Sequence, residues 1–123
     1  MMKRIFVTGL LLAATLPAAA ELIEIQWSAD GRFTHTGSIA AGKFAELCGK
    51  LPAGAKVRWE FDVGAPVDFN VHYHVDKRVE YPAKRKAARH GKGTLSAAIP
   101  QDYCWMWTNK SKRPTLLSVT LER

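Results

Sequence analysis

From residue 21 onward, apolar and polar side chains alternate with period two in one segment after another. Val67, Phe69, Val71, Tyr73 and Val75 are interleaved with Asp68, Asn70, His72 and His74. Tyr103, Trp105 and Trp107 are interleaved with Cys104 and Met106, and Val57, Trp59, Phe61 and Val63 with Arg58, Glu60 and Asp62. Successive side chains of a strand point to opposite faces, so each segment predicts a half-buried strand. Weaker alternation marks residues 23–27, 32–39, 44–51, 79–81, 94–99 and 115–122. Asp30-Gly31, Ala41-Gly42, Pro52-Ala53-Gly54, Gly64-Ala65-Pro66 and Lys77-Arg78 supply turn signals between them. No segment holds a helical period. About eight short strands with regular turns predict an all-β fold, an antiparallel β-sandwich. Trp59, Phe61, Phe69, Trp105 and Trp107 are its expected core, each contributing on the order of 1.5–3 kcal/mol when buried.

The first twenty residues break this pattern. Lys3 and Arg4 precede a mostly apolar run from Ile5 to Leu16, and Pro17 leads into Ala18-Ala19-Ala20. This is the grammar of a cleaved signal peptide, and the run is too short to span a bilayer. The expected organisation is a signal peptide over 1–20 and a single β-sandwich domain over 21–123, periplasmic or secreted, with no transmembrane span in the mature chain. Two basic residues leave with the leader and no acidic one does, which lowers the formal charge of +7 by two. A basic surplus outside the cytosol favours an acidic protein, anionic lipid or polysaccharide as partner over nucleic acid.

Candidate chemistry gathers on the polar faces of two strands. Cys48 and Cys104 are the only cysteines, and an even count in an oxidising compartment points to a disulfide. Closing so long a loop stabilises a fold by about 4 kcal/mol in the chain-entropy treatment. A competing use of the same sulfur is metal binding. His72 and His74 share one strand face, and Cys104 and Met106 share another. If the strands are neighbours, the four make a His-x-His plus Cys-x-Met set suited to copper, because thiolate and thioether favour Cu(I) and imidazole accepts either oxidation state. His35 and His90 are weaker candidate ligands.

Residues 83–93 are expected to form a basic loop carrying Lys84, Arg85, Lys86, Arg89 and Lys92. Such a loop suits an anionic partner through point charges and bidentate guanidinium contacts. It lacks the interleaved aromatics on which single-stranded nucleic acid stacks. There is no Gly-rich phosphate loop and no nucleophile elbow, and Asp68, Asp76 and Glu80 have no nucleophile to serve. The expected function is therefore a non-enzymatic binding module with no cofactor, with a periplasmic copper-binding protein as the alternative. Asn109-Lys110-Ser111 matches a glycosylation sequon but is expected to be a turn.

The order of these pieces resembles a GOLD (Golgi dynamics) domain, in a bacterial exported version. The resembling residues are Ala41-Gly42-Lys43-Phe44, Gly54-Ala55-Lys56-Val57-Arg58-Trp59-Glu60-Phe61, Val67-Asp68-Phe69-Asn70-Val71, Gly93-Thr94-Leu95 and the aromatic strand from Tyr103 to Asn109. The resemblance covers roughly residues 38–122. It implies a β-sandwich that contacts proteins or lipids without catalysis, and an Asn109 side chain that ties down the turn after its strand. Cargo-receptor versions often carry a disulfide whose second cysteine would fall at Met106; here the cysteine stands two residues earlier, at Cys104, with its parity kept.

Overall fold

The structure is a computed structural model that describes Gly9 and residues 20–123. Apart from Gly9 and Ala20, the expected signal peptide lies outside the described residues. Seven strands follow in order: β1 (Glu21–Glu24), β2 (Arg32–Ile39), β3 (Phe44–Leu51), β4 (Lys56–Val75), β5 (Arg78–Ser96), β6 (Gln101–Thr108) and β7 (Thr115–Glu122). They form one folded sheet of order β1-β3-β6-β4-β7-β2, with β5 on the other side of β4.

β4 bends this sheet back on itself into a nearly closed, barrel-like form rather than the expected antiparallel sandwich. Its first half, Arg58 to Val63, pairs with β7. Its second half, Asp68 to His72, pairs with β6. Parity is preserved across the bend, so Val57, Trp59, Phe61, Val63, Val67, Phe69 and Val71 all point inward and are buried. Rings from both halves meet: Phe61 lies 5.7 Å from Trp107 and 4.7 Å from Phe69, centroid to centroid. The five expected core aromatics are all buried. Trp105 and Trp107 are fully enclosed, although among the described residues neither indole N–H has a hydrogen-bond partner. An orphaned donor costs roughly 1–3 kcal/mol, whereas burying 150–250 Å² of aromatic surface contributes about 4–6 kcal/mol. Burial wins.

The architecture departs from expectation in three further respects. Among the described residues the strands number seven rather than about eight, because Gly64-Ala65-Pro66 is a bend inside β4 and not a turn between strands, and because segment 79–81 and the start of segment 94–99 belong to one strand, β5. Proline has no N–H to give a ladder, and Pro66 falls in the gap where β4 has left β7 and not yet met β6. The sheet is mixed, because β1 runs parallel to β3. Residues 83–93 are not a loop: they belong to β5, which pairs with β4 along most of its length. Pro82, which directly follows the expected 79–81 strand, falls at the register shift between Val71 and Tyr73.

β5 escapes a periodicity reading for two reasons. As an edge strand it leaves most side chains exposed, and three register shifts reset its parity. Apart from Leu95, its inward positions against the Trp59 and Phe61 rings are glycines. A Cβ built on Gly93 would lie 2.6 Å from the Trp59 ring, and one on Gly91 would lie 2.7 Å from the Phe61 ring. The two aromatic rings therefore rest on bare β5 backbone.

Candidate functional site

Strands β3, β6 and the second half of β4 align their outward side chains in rows. Glu46, Met106 and Asn70 form one row, and Cys48, Cys104 and His72 the next. Cys48 and Cys104 sit directly opposite each other and are joined as a disulfide. The Cys104 sulfur is thus held in a covalent bond and is not the thiolate that the expected copper set requires.

His72 turns away from the aromatic core as its parity predicts, but it is not an open contact position. Only 6% of it is exposed. The His74 ring stands edge-on at 5.4 Å and the Tyr81 ring at 6.1 Å. Its Nδ1 is 2.7 Å from the Asn70 Oδ1, and its Nε2 is 3.4 Å from the Glu46 Oε1. Burial pushes the imidazole pKa below its ordinary value, while the Glu46 carboxylate pulls the other way and the neighbouring His74 adds to the lowering. Desolvation favours the uncharged ring.

Glu46, His72 and Cys104 each place a potential ligand atom within 4.8 Å of the other two. His74 stands outside this trio and is exposed. Met106 occupies the adjacent row, half-buried. Sequence reasoning missed Glu46. Its signal was a shared outward parity with Cys48, which becomes informative only once β3 is known to pair with β6. Beside the cluster an open groove of about 970 Å³ is lined by Leu22, Trp27, Cys48, His74, Gln101 and Cys104, among others.

The five basic residues singled out in the sequence lie along β5, all exposed. The Lys84 ammonium sits 4.0 Å over the Tyr81 ring and the Arg85 guanidinium 5.8 Å from the Trp59 ring. Between them and Arg89 the strand arches at Ala87, whose φ is +48°. Asp68 secures the arch by accepting a hydrogen bond from the Ala87 N–H at 3.2 Å. The Lys110 ammonium, 2.6 Å from the same carboxylate, is the main reason the Asp68 pKa is lowered, with the Ala87 N–H second. His35 on β2 is half-buried, and His90 on β5 is exposed beside Asp62.

Asn109, at the end of β6, is fully buried. Its Nδ2 donates to the carbonyls of Ile39 and Arg113, and its Oδ1 accepts from the Ser111 N–H and hydroxyl. The side chain ties the 109–114 turn to the end of β2, as the GOLD resemblance implied, and the sequon's amide is committed to the fold.

No known family matches this sequence, and no curated protein matches it. Solved structures do. The pre-peptidase C-terminal domain of a collagenase from Bacillus anthracis is similar at a TM-score of 0.62 and 14% identity, over 87% of this chain and 98% of that one. PliG from Aeromonas hydrophila, a periplasmic lysozyme inhibitor of g-type lysozyme, is similar at 0.54 and 14%, over 85% and 98%. The mitogen YPM of Yersinia pseudotuberculosis is similar at 0.58 and 13%, over 74% and 84%. At such identities the likeness is one of fold, and it places the chain among small all-β domains. Among the described residues no helix is long and apolar enough to cross a membrane.

Proposed function

We propose that this chain is an exported, non-enzymatic binding module that captures an acidic protein along the basic edge of β5. One observation carries the reading: β5 bears Arg78, Lys84, Arg85, Lys86, Arg89 and Lys92 against one carboxylate, Glu80. A few charges suffice to protect an edge strand from pairing with another chain. This row is denser than that, and two of its members are held over aromatic rings, which limits the entropy lost when they meet a partner. The free edge of β5 also offers backbone groups to an extended segment.

The fold likeness supports the protein-binding role, since PliG is by its description an inhibitor of a protein partner. The GOLD-like order of pieces supports a non-catalytic sandwich. The Cys48–Cys104 bond fits an oxidising compartment and hence export.

The test is retention on immobilised poly-aspartate and on vesicles containing anionic lipid. Wild-type protein is expected to bind poly-aspartate and to elute as salt rises, because exposed charges are screened within about 8–10 Å near physiological ionic strength. The K86E/R89E/K92E variant is expected to lose retention with its melting temperature unchanged. Elution of that variant at the wild-type salt concentration would refute the reading. Stronger binding to vesicles than to poly-aspartate would transfer it to a lipid surface.

A further inference from the structure

We propose that Cys48, Cys104, His72 and Glu46 form a latent Zn²⁺ site, closed by the disulfide and opened when a dithiol reductant cleaves it. The inference is independent of the β5 reading and concerns a different face of the molecule.

Glu46, His72 and Cys104 already bring a carboxylate oxygen, an imidazole nitrogen and a sulfur within 4.8 Å of one another. The Cys48 sulfur is bonded to the third of these and lies 3.2 Å from the Glu46 Oε1. Thiolate, imidazole and carboxylate are all ligands that zinc takes, and four of them suffice for its tetrahedral coordination. In the oxidised protein these groups are poorly matched. A disulfide sulfur has no proton to donate, so the contact between Cys48 and Glu46 is not a hydrogen bond. The Glu46 Oε1 therefore faces an electron-rich sulfur on one side and the His72 Nε2 on the other. A cation between them would satisfy all three.

Metal-bound imidazoles characteristically donate their second N–H to a fixed acceptor, which sets tautomer and ring orientation. The Asn70 Oδ1 fills that place at 2.7 Å from Nδ1, which leaves Nε2 directed toward Glu46. The frame is rigid, because Cys48, Cys104 and His72 occupy one row across three paired strands. The groove that borders both cysteines gives a reductant and an ion a path to the sulfurs.

The chemistry balances. A dithiol passes two electrons and two protons to the Cys48–Cys104 bond, becoming a disulfide itself and leaving two protein thiols. Zn²⁺ then displaces the two thiol protons and forms two sulfur–zinc bonds, with His72 and Glu46 completing its shell. A disulfide-bearing oxidant then accepts the two electrons and two protons from solvent to become a dithiol, which re-forms the Cys48–Cys104 bond and releases Zn²⁺.

The experiment loads the exported protein with Zn²⁺ before and after reduction by dithiothreitol and anaerobic desalting. Co²⁺ serves as a coloured probe of thiolate ligation. One Zn²⁺ per chain is expected on the reduced protein and none on the oxidised protein, and the Co²⁺ form is expected to show sulfur-to-metal charge transfer. Cys48→Ala should remove that signal's two-thiolate intensity, His72→Ala should weaken binding by at least about tenfold, and Asn70→Ala by roughly 10–100-fold. His90→Ala, remote from the cluster, should leave affinity unchanged. The proposal is overturned if the reduced protein retains no metal, if the oxidised protein binds as tightly, or if His72→Ala has no effect. It is also overturned if far-UV circular dichroism shows the reduced chain unfolded and Zn²⁺ does not restore it.

Discussion

Replacing Asn109 by alanine is expected to destabilise the domain by about 3 kcal/mol. Asn109 is fully buried and sits where β6 ends, beside the end of β2 and the turn leading into β7. Its amide donates at 3.0 Å to Ile39 and 2.8 Å to Arg113, and its carbonyl accepts at 3.0 Å from the Ser111 N–H. The Arg113 carbonyl keeps a second donor in the Ser111 hydroxyl, and Ser111 is only partly buried. Ile39 is 2% exposed, so water does not readily replace the Asn109 N–H at its carbonyl. Its desolvation without a partner accounts for roughly 1–3 kcal/mol, and the remaining lost hydrogen bonds for about 1 kcal/mol. At roughly 4–8 °C per kcal/mol for a domain of this size, the melting temperature should fall by roughly 10–25 °C. Thermal and urea denaturation of the disulfide-intact protein would measure it. Asn109→Asp sharpens the test. The aspartate fills the same volume and can still accept from Ser111, but it turns an oxygen toward two carbonyls where the amide turned an N–H. It should destabilise at least as much as alanine. An aspartate variant as stable as wild type, or an alanine variant within about 0.5 kcal/mol of it, would refute the tie.

Two further outcomes follow from the same packing and electrostatics. Gly93→Ala should cost about 1–3 kcal/mol, as overpacking does, because its Cβ would meet the Trp59 ring at 2.6 Å; chemical denaturation measures the loss, and Trp59 emission should shift as the ring is displaced. His72 carries a pKa lowered by burial in the folded state, so between its folded and unfolded values the unfolded chain binds the extra proton. Its contribution to stability should be complete above pH of about 6.5 and decline as pH falls toward the folded value. Urea titrations across that window should show a slope that His72→Gln removes.

The inward sets of the two cleanest alternations were legible. Val67, Phe69 and Val71, and Tyr103, Trp105 and Trp107, are buried as their parity nominates, because each segment lies in the interior of the sheet with one side against the aromatic core; the covering of His72 and Cys104 on the other side was not legible. β5 was illegible for the opposite reason. A strand with an open edge needs no apolar face, and its basic composition imitates a loop. Glycine and proline misled for a related cause: Gly64, Pro66 and Pro82 usually mark breaks, but here they occupy places where the ladders already lapse.

By itself the sequence determined the all-β class, the inward set of aromatics and the outward parity of His72, Cys104 and Met106, because side-chain direction along a strand is a local property of the backbone. The cysteine count already pointed to a Cys48–Cys104 bond, but tertiary structure alone decided that the two cysteines stand directly opposite on neighbouring strands, that Glu46 joins His72 and that an outward imidazole is nonetheless covered. Those facts depend on which strands lie side by side and in what register, and registers are set by the packing of the whole core rather than by any segment within it.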